Sequence, residues 1–182
     1  MRVLLVSANR LRPSPSVPWT PVEPLGAAYV ASALARAGYE TEILDLCFAE
    51  SIVESVGAAI ERFEPDFIGV SIRNIDLMAY FNPCSFSEEI AEILAACRLA
   101  TSAAIILGGS GFSVMPRELL EMGRVEYGVV GEGERNFPAL LGALAGGENA
   151  AGLPGVACLR RGELRAPPRR DADDVLEGNV RP

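Results

Sequence analysis

Five short, continuous apolar runs alternate with segments whose apolar residues recur at helical spacing, and this alternation restricts the fold more than any other feature. The runs predict β-strands over residues 2–7, 42–46, 66–72, 103–107 and 126–130. Continuous apolar runs of this length are typical of parallel strands that are covered on both faces. The alternation therefore predicts an α/β fold, a doubly wound five-stranded parallel sheet. Right-handed crossovers favour the flavodoxin-like (Rossmann-like) strand order 2-1-3-4-5.

Local signals mark where the predicted helices begin and end. The alanine-rich segment 24–37 stops at Gly38, a residue type that often follows a helix. Ser51 and Glu54 form a capping box before a stripe of apolar residues at helical spacing. Pro116 stands at the start of another short helix, where its missing N–H costs nothing. These helices supply the crossovers that a parallel sheet needs.

The character of the chain changes after Gly152. The stretch "GVACLRRGELRAPP" predicts two short strands around Arg161 and Gly162, which is a small C-terminal β-hairpin. The last residues, "RRDADDVLEGNVRP", are charged and poor in apolar side chains, as linkers are. We therefore predict a domain over residues 1–150, a hairpin extension over 151–168 and a linker over 169–182.

Composition excludes several functions. A net charge of −8 and a pI near 4.7 argue against binding to nucleic acid. No apolar stretch approaches the roughly 20 residues of a membrane span, and the N-terminus lacks signal-peptide features, so we expect a cytoplasmic protein. The chain has no histidine, which excludes histidine bases and histidine metal ligands. The four cysteines lie more than ten residues apart, so no Cys-x-x-Cys pair exists and we expect no metal site.

The unusual sequences all follow predicted strands, at the edge where open α/β sheets bind ligands. The first strand continues into "SANRLRPSPSVPWTPVEP", a proline-rich loop that is too long for an ordinary connection. The fourth continues into "GGSGFS" and the fifth into "GEGERN". Glycines at these positions indicate close approach of a ligand to the backbone. Neither a Gly-x-Gly-x-x-Gly fingerprint after the first strand nor a P-loop is present, which argues against NAD and ATP.

Four blocks of the sequence resemble one family in order and spacing, over residues 1–165. They are "PLGAAYVASALARAGYETEILDL", "PDFIGVSIRNID", "ILGGSGFSVMP" and "YGVVGEGERNFPALL". Together they resemble the N-terminal cobalamin-binding domain of cobalamin-dependent radical S-adenosylmethionine (SAM) enzymes. The resemblance implies that the corrin ring lies over the carboxyl edge of the sheet. It also implies that the nucleotide tail extends between strands near Ser71, Gly108 and Gly109.

The cofactor-binding residues that we predict lie in the segments after the first, third, fourth and fifth strands and at the start of the first helix. They are Ser7, Asn9, Leu25, Ser71, Ile72, Arg73, Asn74, Gly108, Gly109, Ser110, Gly111, Phe112, Gly131, Glu132 and Gly133. Ser113 continues the predicted binding surface that follows the fourth strand. Glu132 and Glu134 have oxygens that can accept hydrogen bonds from sugar hydroxyls or amides.

Many cobalamin carriers have an Asp-x-His-x-x-Gly motif after the first strand, whereas this chain has "NRLRPSPS" there. With the tail extended, cobalt is expected to have only water or a noncoordinating side chain, such as Arg73 or Leu77, on its lower face. Loss of a strong lower ligand eases reduction of cobalt, which suits methyl transfer.

The chain also lacks the Cys-x-x-x-Cys-x-x-Cys motif that holds the iron–sulfur cluster of these enzymes. The resemblance therefore assigns the 4Fe-4S cluster and S-adenosylmethionine to a missing radical SAM domain in cis, and we expect no catalysis from this chain alone. It is either an excised domain, which we favour, or a stand-alone cobalamin carrier. Two other functions stay open, a flavin- or nucleotide-binding flavodoxin-like domain and a cofactor-free interaction domain.

Overall fold

The structure, a computed structural model, describes residues 1–10, 21–77 and 84–167. The strands in this part of the chain are β1 (Arg2–Ser7), β2 (Glu40–Asp45), β3 (Phe67–Ser71), β4 (Asp76–Leu77), β5 (Cys84–Ser85), β6 (Ala104–Gly108), β7 (Tyr127–Val129), β8 (Val156–Arg160) and β9 (Glu163–Arg165). The α-helices are α1 (Leu25–Arg36), α2 (Ile52–Phe63), α3 (Ser87–Ala100), α4 (Ser110–Val114), α5 (Pro116–Gly123) and α6 (Gly133–Ala145). The predicted linker over 169–182 lies outside the described residues.

The main sheet has the order β2-β1-β3-β6-β7-β8-β9. Its first five members are parallel, so the predicted sheet with order 2-1-3-4-5 is confirmed. The predicted C-terminal hairpin is also present as β8 and β9. It continues the same sheet, because β8 pairs antiparallel with β7 and Val129 lies opposite Val156.

The connections contain two features that the sequence analysis did not predict. The five-residue helix α4 begins directly after Gly109. Two side-chain hydrogen bonds stabilise this short helix. The Ser110 hydroxyl donates to the carbonyl of Arg73, and the Ser113 hydroxyl donates to the carbonyl of Gly109, both at 2.9 Å. In the connection after β3, the short strands β4 and β5 pair with each other.

Helices cover the sheet on both faces, as continuous apolar strands require. One core cluster joins α2, α3 and α5 to strand residues such as Leu4, Val6 and Ile68. The other joins α1 and α6 to strand residues such as Val3 and Leu5. Successive side chains of a strand point to opposite faces, so the alternation along β1 decides which helices each residue contacts. Among the residues that the structure describes, no helix has both the length and the apolar character that a bilayer crossing requires.

The strand register aligns the residues that matter at the carboxyl edge. Ser7 is paired with Ser71, and Ser71 is paired with Gly108. Two residues earlier, Leu5, Gly69 and Ile106 form a second row. At about 3.3 Å per residue, this second row lies roughly 7 Å deeper in the sheet. Both rows face α1 and α6, because residues two apart share a face.

Candidate functional site

A cleft of about 500 Å³ opens at the carboxyl edge, between the sheet and helices α1 and α6. This volume lies within the range of roughly 300–1,000 Å³ that is usual for small-molecule sites. The lining residues come from β1, β3, β6 and β7, from α4, from the first two turns of α1 and α6, and from the turns that precede α4 and α6. They are Leu5, Gly26, Ala27, Val30, Gly69, Val70, Ser71, Ile106, Leu107, Gly108, Gly109, Ser110, Ser113, Val129, Gly131, Gly133, Glu134 and Phe137.

The cleft changes character with depth. The row that ends the strands brings Ser71 and Gly108 to the mouth, and the exposed residues Ser110 and Glu134 also line the cleft there. The deeper row consists of Leu5, Gly69 and Ile106, and Phe137 of α6 packs against it. We call these four deeper residues the floor. The mouth therefore offers hydroxyls, a carboxylate and backbone groups, whereas the side chains of the floor are apolar.

Gly69 is required by the packing of the floor. A Cβ atom at this position would lie 2.7 Å from Leu5 Cδ2 and 2.9 Å from Phe137 Cζ. Real side chains do not come this close, so a larger residue would push the helix away from the sheet. Our sequence analysis did not identify Gly69. The available signal was a glycine inside the strand "FIGVS", a position that often marks close approach by other atoms.

Gly108 differs from Gly69, because the space beside it is open. A Cβ there would meet only the carbonyl oxygen of Val129, at 3.8 Å. On the helical wall of the cleft, Gly26 of α1 has no atom within 4 Å of its Cβ position. Side chains at these two positions would enter the cleft without disturbing the protein. The two glycines thus keep the cleft wide enough for a bulky group near the backbone.

The backbone conformation at position 109 requires a glycine. Its φ of 98° and ψ of 173° belong to a region that only glycine enters readily. A Cβ at Gly109 would lie 2.4 Å from the carbonyl oxygen of Ile72. The turn also serves the neighbouring strand, since the N–H of Ile72 donates to the carbonyl of Gly108 at 2.7 Å. Gly109 therefore shapes the mouth by letting β6 turn against the end of β3.

Ser113 connects the two glycine-rich turns of the cleft. Its hydroxyl donates to the carbonyl of Gly109 at 2.9 Å and accepts the N–H of Gly131 at 3.0 Å. Gly131 itself has a positive φ of 77°. The turn after β6 and the turn after β7 are thus held together by one side chain that lines the cleft.

The structure brings six of the predicted residues together in the lining and places the others nearby. The six are Ser71, Gly108, Gly109, Ser110, Gly131 and Gly133. At the same edge, but outside the lining, lie Ser7, Asn9, Leu25, Arg73, Asn74 and Glu132. Ile72 and Phe112 are buried in the core cluster of α2, α3 and α5, and the buried Gly111 donates its N–H to Ile72. The side chain of Leu77 lies outside the described part of the structure.

The lining residues that the sequence analysis missed are all apolar residues or glycines. They are Leu5, Gly26, Ala27, Val30, Gly69, Val70, Ile106, Leu107, Val129 and Phe137. Helical and strand periodicity assigns such residues to the core, and it cannot distinguish a packed face from one that borders a cleft.

The ionisable groups give the cleft no acid–base chemistry. Among the described residues that line it, Glu134 is the one ionisable group, and it is exposed. Two groups whose pKa is shifted, Cys97 and Tyr127, belong to other parts of the fold. Burial raises the pKa of Cys97 in α3 to about 11, and burial together with Glu126 raises the pKa of Tyr127 to about 12. A cleft with an apolar floor and polar groups at its mouth is suited to holding a cofactor.

A doubly wound parallel sheet with a glycine-walled cleft at the carboxyl ends of its strands defines a cofactor-binding α/β domain. The B12 binding domain model matches residues 19–141, and the chain belongs to this family. The predicted relationship to cobalamin-dependent radical SAM enzymes is thereby confirmed, as is cobalamin as the expected cofactor.

Two curated proteins and two solved structures illustrate the relationship. Tryptophan 2-C-methyltransferase of Streptomyces laurentii is 30% identical over 149 residues, which are 81% of this chain and 24% of that protein. An uncharacterized methyltransferase of Pyrococcus horikoshii is 25% identical over 171 residues, which are 93% of this chain and 35% of that protein. The chain therefore spans about a quarter to a third of the length of these relatives.

The radical SAM methyltransferase TsrM from Kitasatospora setae, solved with cobalamin and a 4Fe-4S cluster bound, matches with a TM-score of 0.81 and 33% identity. The match covers 93% of this chain and 29% of TsrM. The cobalamin-dependent radical enzyme OxsB, solved with aqua-cobalamin, matches with a TM-score of 0.68 and 19% identity over 96% of this chain and 24% of OxsB. The second match shows the fold alone.

Proposed function

We propose that this chain binds cobalamin with the nucleotide tail in the cleft, and that it serves as the cobalamin domain of a radical SAM methyltransferase. The observation that carries the proposal is the open space beside Gly108. Beside Gly108 a Cβ would meet a single atom within 4 Å, the carbonyl oxygen of Val129 at 3.8 Å, and a cleft with an apolar floor lies next to it. A backbone without a side chain, next to an apolar cleft, fits a flat aromatic base at the end of a polar tail.

Particular residues have the chemistry to hold that tail. The hydroxyl of Ser71 lies at the mouth, level with Gly108, where it can bond a polar atom of the tail. Ser110 and Glu134 are exposed at the mouth and can bond sugar hydroxyls or amide groups. The floor supports the base by apolar contact, worth about 25 cal/mol for each Å² removed from water.

The same arrangement separates the base of the tail from cobalt. A base that lies in the cleft is no longer available as a lower ligand, and the chain has no histidine to replace it. We therefore propose base-off binding without a protein imidazole. Cobalamin held in this way supplies methyl-transfer chemistry at cobalt.

We also propose that a radical SAM domain in cis holds the 4Fe-4S cluster and S-adenosylmethionine, and that residues 169–182 lead to it. The support is that relatives such as TsrM are longer chains, of which this chain covers 29% in that case. Among the described residues that line the cleft, Glu134 is the ionisable one, so the proposal leaves the chemistry of methyl transfer to cobalamin and to that further domain.

Reconstitution with hydroxocobalamin tests the proposal. The protein is incubated with the cofactor and desalted, and bound corrinoid is quantified from the visible spectrum. We expect about one corrinoid per chain for the wild type and strong loss for Gly108→Leu. Gly142→Leu is the matched control, because Gly142 is an exposed glycine of α6 that likewise has space for a side chain, with no atom within 4 Å of its Cβ position. Folded wild-type protein that stays colourless, or that takes up a yellow flavin instead, would overturn the proposal.

A further inference from the structure

We propose that the floor of the cleft makes the domain selective for the base of the nucleotide tail. It favours corrinoids whose tail ends in a benzimidazole-type base over corrinoids whose tail ends in a purine. This inference rests on the proposed function, and it adds the class of corrinoid that the site accepts.

The floor lacks polar partners for a base. Its side chains are those of Leu5, Ile106 and Phe137, together with the hydrogen of Gly69. The backbone gives no substitute, because Leu5, Gly69 and Ile106 lie side by side in strands that are paired in register. Little of the surface of Leu5, Ile106 and Phe137 is open to water, since each of them is at most 4% exposed.

Among the lining residues that the structure describes, the polar side chains lie toward the mouth. Ser71 is two strand residues above Gly69, which corresponds to roughly 7 Å. Glu134 is three residues before Phe137 in α6, about 4.5 Å along the helix axis in the direction of solvent. A tail that places its base on the floor therefore brings its sugar and phosphate, and not the base, to these groups.

The two classes of base differ in what they bury. Benzimidazole and purine are flat bicyclic rings of similar size, so shape alone separates them poorly. A purine such as adenine has an exocyclic amine and additional ring nitrogens, whereas the six-membered ring of a benzimidazole has only carbon atoms. A buried polar group without a partner weakens binding by about 1–3 kcal/mol, which corresponds to roughly 5- to 150-fold in affinity.

The experiment compares three corrinoids by titration of the purified protein. They are cobalamin, the cobamide that has adenine as its tail base, and cobinamide, which has no nucleotide tail. We expect cobalamin to bind at least ten-fold more tightly than the adenine cobamide, and cobinamide to bind weakly. Equal affinity for cobalamin and the adenine cobamide, with weak binding of cobinamide, would overturn the selectivity and leave the tail site in place. Equal affinity for cobinamide and cobalamin would instead overturn the tail site of the proposed function.

A matched pair of variants at Ile106 tests the physical cause. Ile106→Thr and Ile106→Val leave side chains of nearly equal volume, and only the threonine adds a hydroxyl to the floor. We expect Ile106→Thr to reduce the preference for cobalamin over the adenine cobamide by several-fold and Ile106→Val to leave it unchanged. The same preference in both variants would contradict a polarity-based selection. Thermal melts establish that both variants are folded.

Discussion

The N–H of Gly131 donates to the hydroxyl of Ser113 at 3.0 Å, and through this bond the turn after β7 is attached to the turn after β6. The same hydroxyl donates to the carbonyl of Gly109 at 2.9 Å. All three residues line the cleft. The side chain of Ser113 therefore contributes to the separation of the two turns, and with it to the width of the mouth.

Ser113→Ala is expected to loosen the mouth. The substitution removes both bonds and should lower the free energy of unfolding by about 1 kcal/mol. It should also weaken cobalamin binding by roughly three- to ten-fold, because the turns must then be ordered on binding. Denaturant unfolding and corrinoid titration measure the two effects. Ser102→Ala, at an exposed position before β6, is the control. An unchanged affinity for Ser113→Ala would show that the bridge does not set the width of the mouth.

Two neighbouring glycines should respond differently to alanine. Gly109→Ala is expected to lower the free energy of unfolding by about 1–3 kcal/mol through backbone strain, because only glycine enters this backbone conformation readily. The new Cβ would also lie 2.4 Å from the carbonyl oxygen of Ile72. Gly108→Ala has space for its methyl group and should keep its stability while losing affinity for cobalamin. Equal stability of the two variants in denaturant would contradict this account.

Electron paramagnetic resonance of the cob(II)alamin-loaded protein tests base-off binding. We expect no nitrogen splitting from a lower ligand, because the chain has no histidine and the base of the tail occupies the cleft. The spectrum of free cob(II)alamin at neutral pH, where the base binds cobalt, is the reference. A three-line nitrogen pattern in the protein-bound spectrum would mean that the tail is not extended.

Alkaline pH should destabilise the protein through Cys97. Burial raises its pKa from 9.0 to about 11, so the folded state holds the thiol proton more tightly than the unfolded state does. The resulting stability is complete below pH 9 and is lost as the pH rises toward 11. The two-unit shift corresponds to at most about 3 kcal/mol.

Unfolding by denaturant at pH 8 and at pH 10.5 measures this loss. Cys97→Ala removes the titrating thiol, so the difference in stability between the two pH values should be smaller in the variant than in the wild type. Tyr127 remains in both proteins, so the stability that its raised pKa of about 12 removes above pH 10 is the same in wild type and variant and cancels in the comparison. An equal pH dependence of wild type and variant would exclude Cys97 as the cause.

Local patterns in the sequence were sufficient for the architecture. Continuous apolar runs and helical stripes predicted five parallel strands and the C-terminal hairpin, because hydrophobic periodicity reflects the local structure of each element. The handedness of crossover connections then favoured the strand order. The capping box is an example, since the Ser51 hydroxyl does accept the N–H of Glu54, at 3.3 Å. The absence of histidine required no structure at all.

The tertiary structure decided which residues face the cleft. Phe112 follows the glycines of the segment "GGSGFS", yet its ring lies in the core of the other sheet face, where a Cβ on Gly128 would come within 2.1 Å of it. The sequence around Gly69 shows only a glycine inside a strand, and the role of this residue comes from Leu5 and Phe137, which are more than sixty residues distant from it along the chain. Such roles depend on which helix covers which strand. A sequence records the spacing within each element, whereas the packing between elements places a given side chain in the core or at the cleft.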